Sequence, residues 1–237
     1  MNETLMRATM RQRVTSPVRV TLLASVFLFP LLVIGASPAT GFTMLGSGYA
    51  LTLVIAAGVI GQDVSSGVLQ LLFARPVKRS EYVISRWLAV SLMSAMLATL
   101  QLAIAVLLMW SRHAPPQTRE VFEQLGNSIC VAFGAGAVLT FFSSLLPGFG
   151  DLAILMVMAF TGSGLDGIGQ GFHLPVLSRI GDEVGHFVFP SLPLSSLLRG
   201  GGTPWYEIVA YFSTVTLCLA AAILIVNRKE LSYASSS

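Results

Sequence analysis

Between Arg19 and Asp63 the chain carries no charged side chain at all. A run of that length and apolarity has no place in a small water-soluble domain. At about 1.5 Å of helix per residue it holds two crossings of a hydrocarbon layer roughly 30 Å thick. Residues 20–36 form the first, Ser37-Pro38-Ala39-Thr40-Gly41 supplies the turn, and residues 44–61 form the second. Further apolar runs at 87–110, 125–146, 152–165 and 208–226 bring the expected count to six. Pro147-Gly148-Phe149-Gly150 breaks the fourth from a shorter fifth. Trp87 and Trp110 bracket the third run, and Trp205 and Tyr206 precede the last, as aromatic anchors at headgroup depth. Only 11% of the 237 residues are charged, against roughly 25% in a soluble domain, so lipid is the main solvent. The expected fold class is an all-α integral membrane protein, one transmembrane domain over residues 1–237. Cys130 and Cys218 both lie inside apolar runs, which excludes a disulfide framework.

Arginine and lysine placement orients the spans. With both termini inside, the cytoplasmic segments hold Arg7, Arg11, Arg13, Arg19, Arg75, Lys78, Arg79, Arg86, Arg228 and Lys229, against Arg112, Arg119, Arg179 and Arg199 outside. Ten against four is a positive-inside bias. Pro38 occupies the place where a signal-peptide cleavage site would need small residues, so the first span reads as an uncleaved anchor. Ahead of it, Met6, Met10 and Val14 lie four apart beside Arg7 and Arg11. Residues 1–16 therefore read either as an amphipathic helix on an anionic inner leaflet or as a basic tail.

The cytoplasmic connection between the second and third spans is unlike the other loops. It reads GQDVSSGVLQLLFARPVKRSEYVISRW over residues 61–87. Asp63 or a neighbouring serine can cap a helix start, and Pro76 makes Arg75 a helix end. Arg75, Lys78 and Arg79 cluster around that proline, and Tyr82 begins the next helix at interface depth. A short helix exposing Leu69, Leu72 and Phe73 would forfeit roughly 1.5–3 kcal/mol for each large side chain left in water. Such a helix needs a partner surface, lipid or protein.

These residues resemble the signature of permease subunits of type-two ABC exporters. The matching positions are Asp63, Gly67, Leu69, Leu71, Leu72, Arg75, Pro76, Val77, Arg79 and Tyr82, with Arg86 at the start of the third span. Within that class the chain is similar to the compact six-span permeases grouped with multicopper-enzyme maturation systems. Asp63 stands where glutamate is common. The resemblance implies a cytoplasmic coupling segment over 63–81 that seats in a groove of a separate ATPase. Asp63, Gly67, Val68, Leu69, Leu71, Leu72, Phe73, Arg75, Pro76, Lys78 and Arg79 would meet that partner. Gly67 would permit close backbone approach, the large apolar residues would supply buried contact, and Arg75 and Arg79 would pair with acids or lipid phosphate. It also implies a second permease chain, as homodimer or heterodimer, in a bacterial-type cytoplasmic membrane. No cofactor is expected in this chain; ATP and Mg are expected on the partner ATPase.

The remaining motifs are consistent with a subunit that borrows its energy. No G-x-x-x-x-G-K-[ST] loop is present, and the lysines, Lys78 and Lys229, follow no glycine-rich turn. Gly162-Ser163-Gly164-Leu165-Asp166-Gly167 matches G-x-G-x-x-G but follows an apolar helix on the outer side. Its glycines are expected to end the fifth span and form a bend. His173, Asp182, Glu183 and His186 in the outer loop lack the second carboxylate–histidine pair of a dinuclear site, so no metal is expected. Asp151 is the nearest approach to an intramembrane acid, at the inner end of the fifth span, which argues against an ion-driven carrier.

Ser91, Ser94, Thr99 and Gln101 in the third span and Thr140, Ser143 and Ser144 in the fourth make a thin polar stripe. That stripe suits an amphipathic cargo, or serves as helix packing. Ala57 with Gly61, and Ala132 with Gly136, are small pairs for close helix approach within the chain or across a dimer. Over residues 166–204, Leu177, Ile180, Val184, Phe187 and Val188 repeat at helical spacing opposite Arg179, Asp182 and Glu183. This reads as an outer interfacial or re-entrant helix, similar to those capping the exit path in the exporter family. An extracytoplasmic partner surface is the alternative.

A permease subunit of an ATP-driven exporter is the function expected, with membrane lipid as surroundings and no nucleic-acid partner. A non-transporting membrane scaffold or assembly factor that recruits a soluble cytoplasmic protein is the alternative. A membrane-embedded enzyme ranks third, for want of a catalytic set.

Overall fold

The computed structural model describes residues 3–45, 48–65, 78–192, 194, 196 and 205–234. Every regular element among them is an α-helix. In chain order these are α1 (Glu3–Thr15), α2 (Pro17–Ala36), α3 (Pro38–Met44), α4 (Tyr49–Ala56), α5 (Gly61–Ser65), α6 (Arg79–Ser111), α7 (Thr118–Leu145), α8 (Gly150–Gly171), α9 (Pro175–Val188) and α10 (Trp205–Ala234). Five of them, α2, α6, α7, α8 and α10, are long and apolar enough to cross a membrane. A sixth candidate passes the same test only as a pair, α3 with the α4–α5 stretch bent by 42° between Met44 and Tyr49, either a broken span or a re-entrant loop.

Helix α7 is the axis of the bundle. Of its apolar stretch 72% is buried, against 17–33% in the other four spans. Its sequence explains the position, since Ala132, Ala135, Gly136, Ala137, Thr140 and Ser143 present a surface small enough for neighbours on several sides. A Cβ on Gly136 would stand 2.5 Å from the Ser91 hydroxyl of α6, so the small pair read from the sequence serves packing within this chain. Leu32 on α2, Leu107 on α6, Phe160 on α8 and Leu217 on α10 stand 67–78% exposed around the axis, the face that lipid covers.

Several helices extend beyond the apolar runs expected, and two of these differences have identifiable reasons. Helix α6 begins at Arg79, eight residues ahead of Trp87, because its first turns are buried against α1 and the other helices rather than in water. Trp87 therefore lies within α6 and not at its start. Its indole donates to the Phe133 carbonyl of α7 at 3.0 Å and meets the Phe133 ring edge-on. Helix α8 runs through the glycines at 162–167 and stops at Gly171, where His173 takes a left-handed φ of 53°.

Those glycines are a packing seam, not a bend. Helix α9 folds back antiparallel along α8, and Gly181 sits so close that a Cβ there would lie 2.6 Å from the Gly162 carbonyl. Ser178 donates to Asp166 at 2.7 Å across the same seam. The face of α9 turned to α8 therefore includes Gly181, while Ile180 is exposed. At its far end α9 enters the bundle. Val188 is fully buried in the main core, Phe187 meets Phe142 of α7, and the Tyr49 hydroxyl of α4 donates to the Val188 carbonyl at 3.3 Å. Helix α9 thus packs along α8 and into the bundle at its C-terminal end.

Candidate functional site

The break in the second apolar span organises one end of the bundle. Gly58 adopts φ +63°, and the Val59 N–H donates to the Ala56 carbonyl at 3.0 Å, closing a turn of the kind that places glycine third. The helix resumes at Gly61 as α5. A break of this kind releases backbone donors and acceptors, and each one left unsatisfied in a low-dielectric layer costs several kcal/mol. The chain supplies a partner for them from distant side chains.

Two arginines take the carbonyls. Arg13 of α1 reaches Ala57 O at 2.7 Å and Gly58 O at 3.1 Å, and Arg19 of α2 reaches Ala57 O at 3.2 Å. An acid and a serine take the N–H groups. Gly58 N–H donates to Asp151 at 2.6 Å, while Ile60 and Gly61 donate to the Ser143 hydroxyl at 3.0 and 2.8 Å. Gly148 N–H closes the set on the Gly61 carbonyl at 2.8 Å. Burial, with the like charges of Arg19 and Arg86 added, holds the Arg13 guanidinium below the usual arginine range at about 9. It is cationic at neutral pH.

A second node lies beside the first. Asp63 of α5 is 2% exposed; it accepts the Tyr82 hydroxyl at 2.6 Å and pairs with the buried guanidinium of Arg86, both on α6. Arg86 also donates to Thr9 at 3.0 Å and Gln12 at 3.1 Å, both on α1. Its charge lies 5.4 Å from the centre of the Tyr82 ring. Asp63 and Tyr82 stand on either side of the connection 64–81, so the node clamps its base. Arg79 extends the tie by donating to the Asn227 carbonyl of α10 at 3.2 Å.

Several expectations change accordingly. Asp63 lies in the first turn of α5 with its carboxylate bonded to Tyr82 and Arg86; the helix start that it is expected to cap lies outside the described residues. Tyr82 is fully buried, three residues into α6. Residues 3–15 are helical, and the buried residues of α1 are Thr9 and Arg13, with Met6 and Met10 partly buried. Of the residues expected to meet a partner, Lys78 is exposed just ahead of α6, while Gly67, Val68, Leu69, Leu71, Leu72, Phe73, Arg75 and Pro76 lie outside the described residues.

The sequence reading missed Arg13, Arg19 and Ser143 as a set. Their signal was present in weak form. A serine in the most small-residue-rich span, an acid at a span's inner end and two arginines at the start of the chain all need partners once buried. Most of the polar stripe on α6 and α7 is engaged with backbone, while the buried Ser91 hydroxyl makes no hydrogen bond with any described residue. Ser94, Thr99 and Thr140 bond carbonyls four residues back, Ser144 bonds Phe141 O, and Gln101 reaches the Val26 and Phe27 carbonyls of α2. At the opposite end of the bundle Gln117, Glu120, Glu123 and Asn127 line a separate cavity of about 690 Å³ with Phe42 and Met109. Among the described residues no group of three or more histidine, cysteine or acidic side chains is arranged to hold a metal.

Such an arrangement defines a multi-pass helical membrane protein whose polar groups gather at the root of one inter-span connection. A family profile described as ABC-2 family transporter protein matches residues 13–188, from the first buried arginine to the tip of α9. The chain belongs to that family of ABC transporter permeases, which are membrane subunits of transport systems and not themselves catalysts. No curated protein and no solved structure matches it.

Proposed function

We propose that this chain is the transmembrane subunit of an ATP-driven exporter, driven through its 63–81 segment by a separate ATPase that holds ATP and Mg. The observation that supports this reading is the Asp63–Tyr82–Arg86 clamp. It ties both ends of that segment to α1, α5 and α6, and through Arg13 and Asp151 the break next to it engages α8 as well. A push on the segment then moves several helices together, and a ligand with different affinities for two packings can bias them. ATP-driven closure of the partner is such a ligand effect.

The basic end faces the cytoplasm, with both termini there, in a bacterial-type cytoplasmic membrane. A second permease chain packs on the exposed apolar faces, and α9 lies toward the exterior. The cargo is amphipathic, since most hydroxyls of α6 and α7 are bonded to backbone and few line a polar path. Export as the direction follows from the family resemblance.

A mild-detergent pull-down from native membranes, with mass spectrometry and ATPase assay of the eluate, tests the docking. An ATPase recovered with wild type and lost with an inserted Leu72→Asp, Phe73→Asp chain is expected. A wild-type chain that brings down no ATPase would overturn the assignment and favour a scaffold.

A further inference from the structure

A groove of about 690 Å³ runs between α2, α4 and the start of α8, beside the broken helix. Its long walls are apolar, with Leu22, Val26, Leu53, Val54 and Met156 among them. Leu22 and Met156 stand 51% and 57% exposed, so the groove opens on the lipid-facing surface of a membrane-spanning chain. At one end the wall changes character to Arg19, Gln12 and Gln62.

Arg19 at that end is poorly matched within the chain. Of its five N–H donors, one reaches the Ala57 carbonyl; the cation lies 5.3 Å from the centre of the Phe149 ring, and Arg19 forms no ion pair among the described residues. Charge around the break is likewise unbalanced. Asp63 answers Arg86, which leaves Arg13 and Arg19, two cations, against the single carboxylate of Asp151. One positive charge remains at the polar end of an apolar groove. Lipid acyl chains meet such walls, and a phosphate diester beside Arg19 would supply the missing anion.

We infer that this groove is a binding site for one anionic glycerophospholipid, its phosphate on Arg19 and an acyl chain between α2 and α4. The lipid completes the charge at the broken helix and fills the gap that α2 and α4 leave open. The inference needs only the membrane-spanning character of the chain and is independent of ATPase docking.

The test is native mass spectrometry of the purified full-length chain, titrated with phosphatidylglycerol and with phosphatidylcholine of the same acyl chains. One retained phosphatidylglycerol is expected at concentrations where phosphatidylcholine is not retained. Arg19→Gln is expected to weaken that retention at least about tenfold, the equivalent of about 1.4 kcal/mol. Leu22→Trp, which fills the groove from its exposed side without touching the polar set, is expected to abolish it at an unchanged melting temperature. Equal retention of the two lipids would overturn the inference. So would undiminished phosphatidylglycerol binding in a folded Leu22→Trp chain, or its displacement by inorganic phosphate alone. If Arg19→Gln fails to fold, the Leu22→Trp result decides.

Discussion

Asp63 and Tyr82 stand nineteen residues apart and share a buried 2.6 Å hydrogen bond across the base of the connection between the second and third spans. The acid lies on α5 at the start of the block that resembles the family signature, and the phenol lies near its end on α6. Arg86 closes the triangle and carries it to α1 through Thr9 and Gln12. The two ends of the segment are thus one rigid unit with the first helix of the chain.

Removing Asp63 strands the Arg86 charge. Asp63→Ala is expected to lower stability by about 3–5 kcal/mol, the range for breaking a buried pair from one side. The double change Asp63→Ala, Arg86→Ala should cost less than the sum of the two single changes, because the stranded charge is gone. Melting of detergent-purified chains measures all three; strict additivity would show that the pair is not coupled.

Ser143 accepts two N–H groups of the break with one hydroxyl. Ser143→Ala leaves Ile60 and Gly61 without their acceptor, at an expected cost of about 1–3 kcal/mol. Ser144→Ala removes only a bond to its own helix at Phe141 and should change the melting temperature little. Equal effects from the two serines would contradict the role given to Ser143.

Arg13 spans two successive carbonyls with two nitrogens. Arg13→Lys keeps the charge but cannot reproduce the planar fork. It is expected to destabilise nearly as much as Arg13→Ala. A lysine variant that melts like wild type would mean that charge alone matters there.

Glycines in α8 and α9 divide by what surrounds them. A Cβ on Gly181 would meet backbone atoms of Gly162 and Asp166 within 2.6 Å, while one on Gly164 meets nothing within 4 Å. Gly181→Ala should loosen the α8–α9 hairpin, and Gly164→Ala should be neutral or stabilising by up to about 1 kcal/mol from helix propensity. Limited proteolysis near residue 173, together with melting, separates the two outcomes.

Much of this architecture was legible in the apolar runs. Runs near twenty residues between turn residues mark spans wherever a helix is continuous, as in α2, α7 and α10. The signature from Asp63 to Arg86 pointed to the family on a short block of residues. The broken span was hidden because residues 44–61 are uniformly apolar, and a turn at Ala57-Gly58 leaves that pattern intact. Its partners, Arg13, Ser143 and Asp151, are 44, 82 and 93 residues from the atoms they bond. No local periodicity encodes that distance. The glycines of α8 misled for the opposite reason. Glycine is a weak helix former in isolation, yet here it admits α9 against α8, and tertiary packing outweighs propensity.

The most direct test of the account is the ATPase rate of the assembled complex in lipid nanodiscs, with wild type compared with Tyr82→Phe. That change deletes one hydroxyl from the clamp and leaves the residues of the 63–81 segment unchanged. The account predicts that the ATPase still co-purifies in full while its stimulation by the membrane subunit falls severalfold. Full stimulation by a correctly folded Tyr82→Phe chain would contradict the claim that the clamp carries motion from the ATPase to the spans.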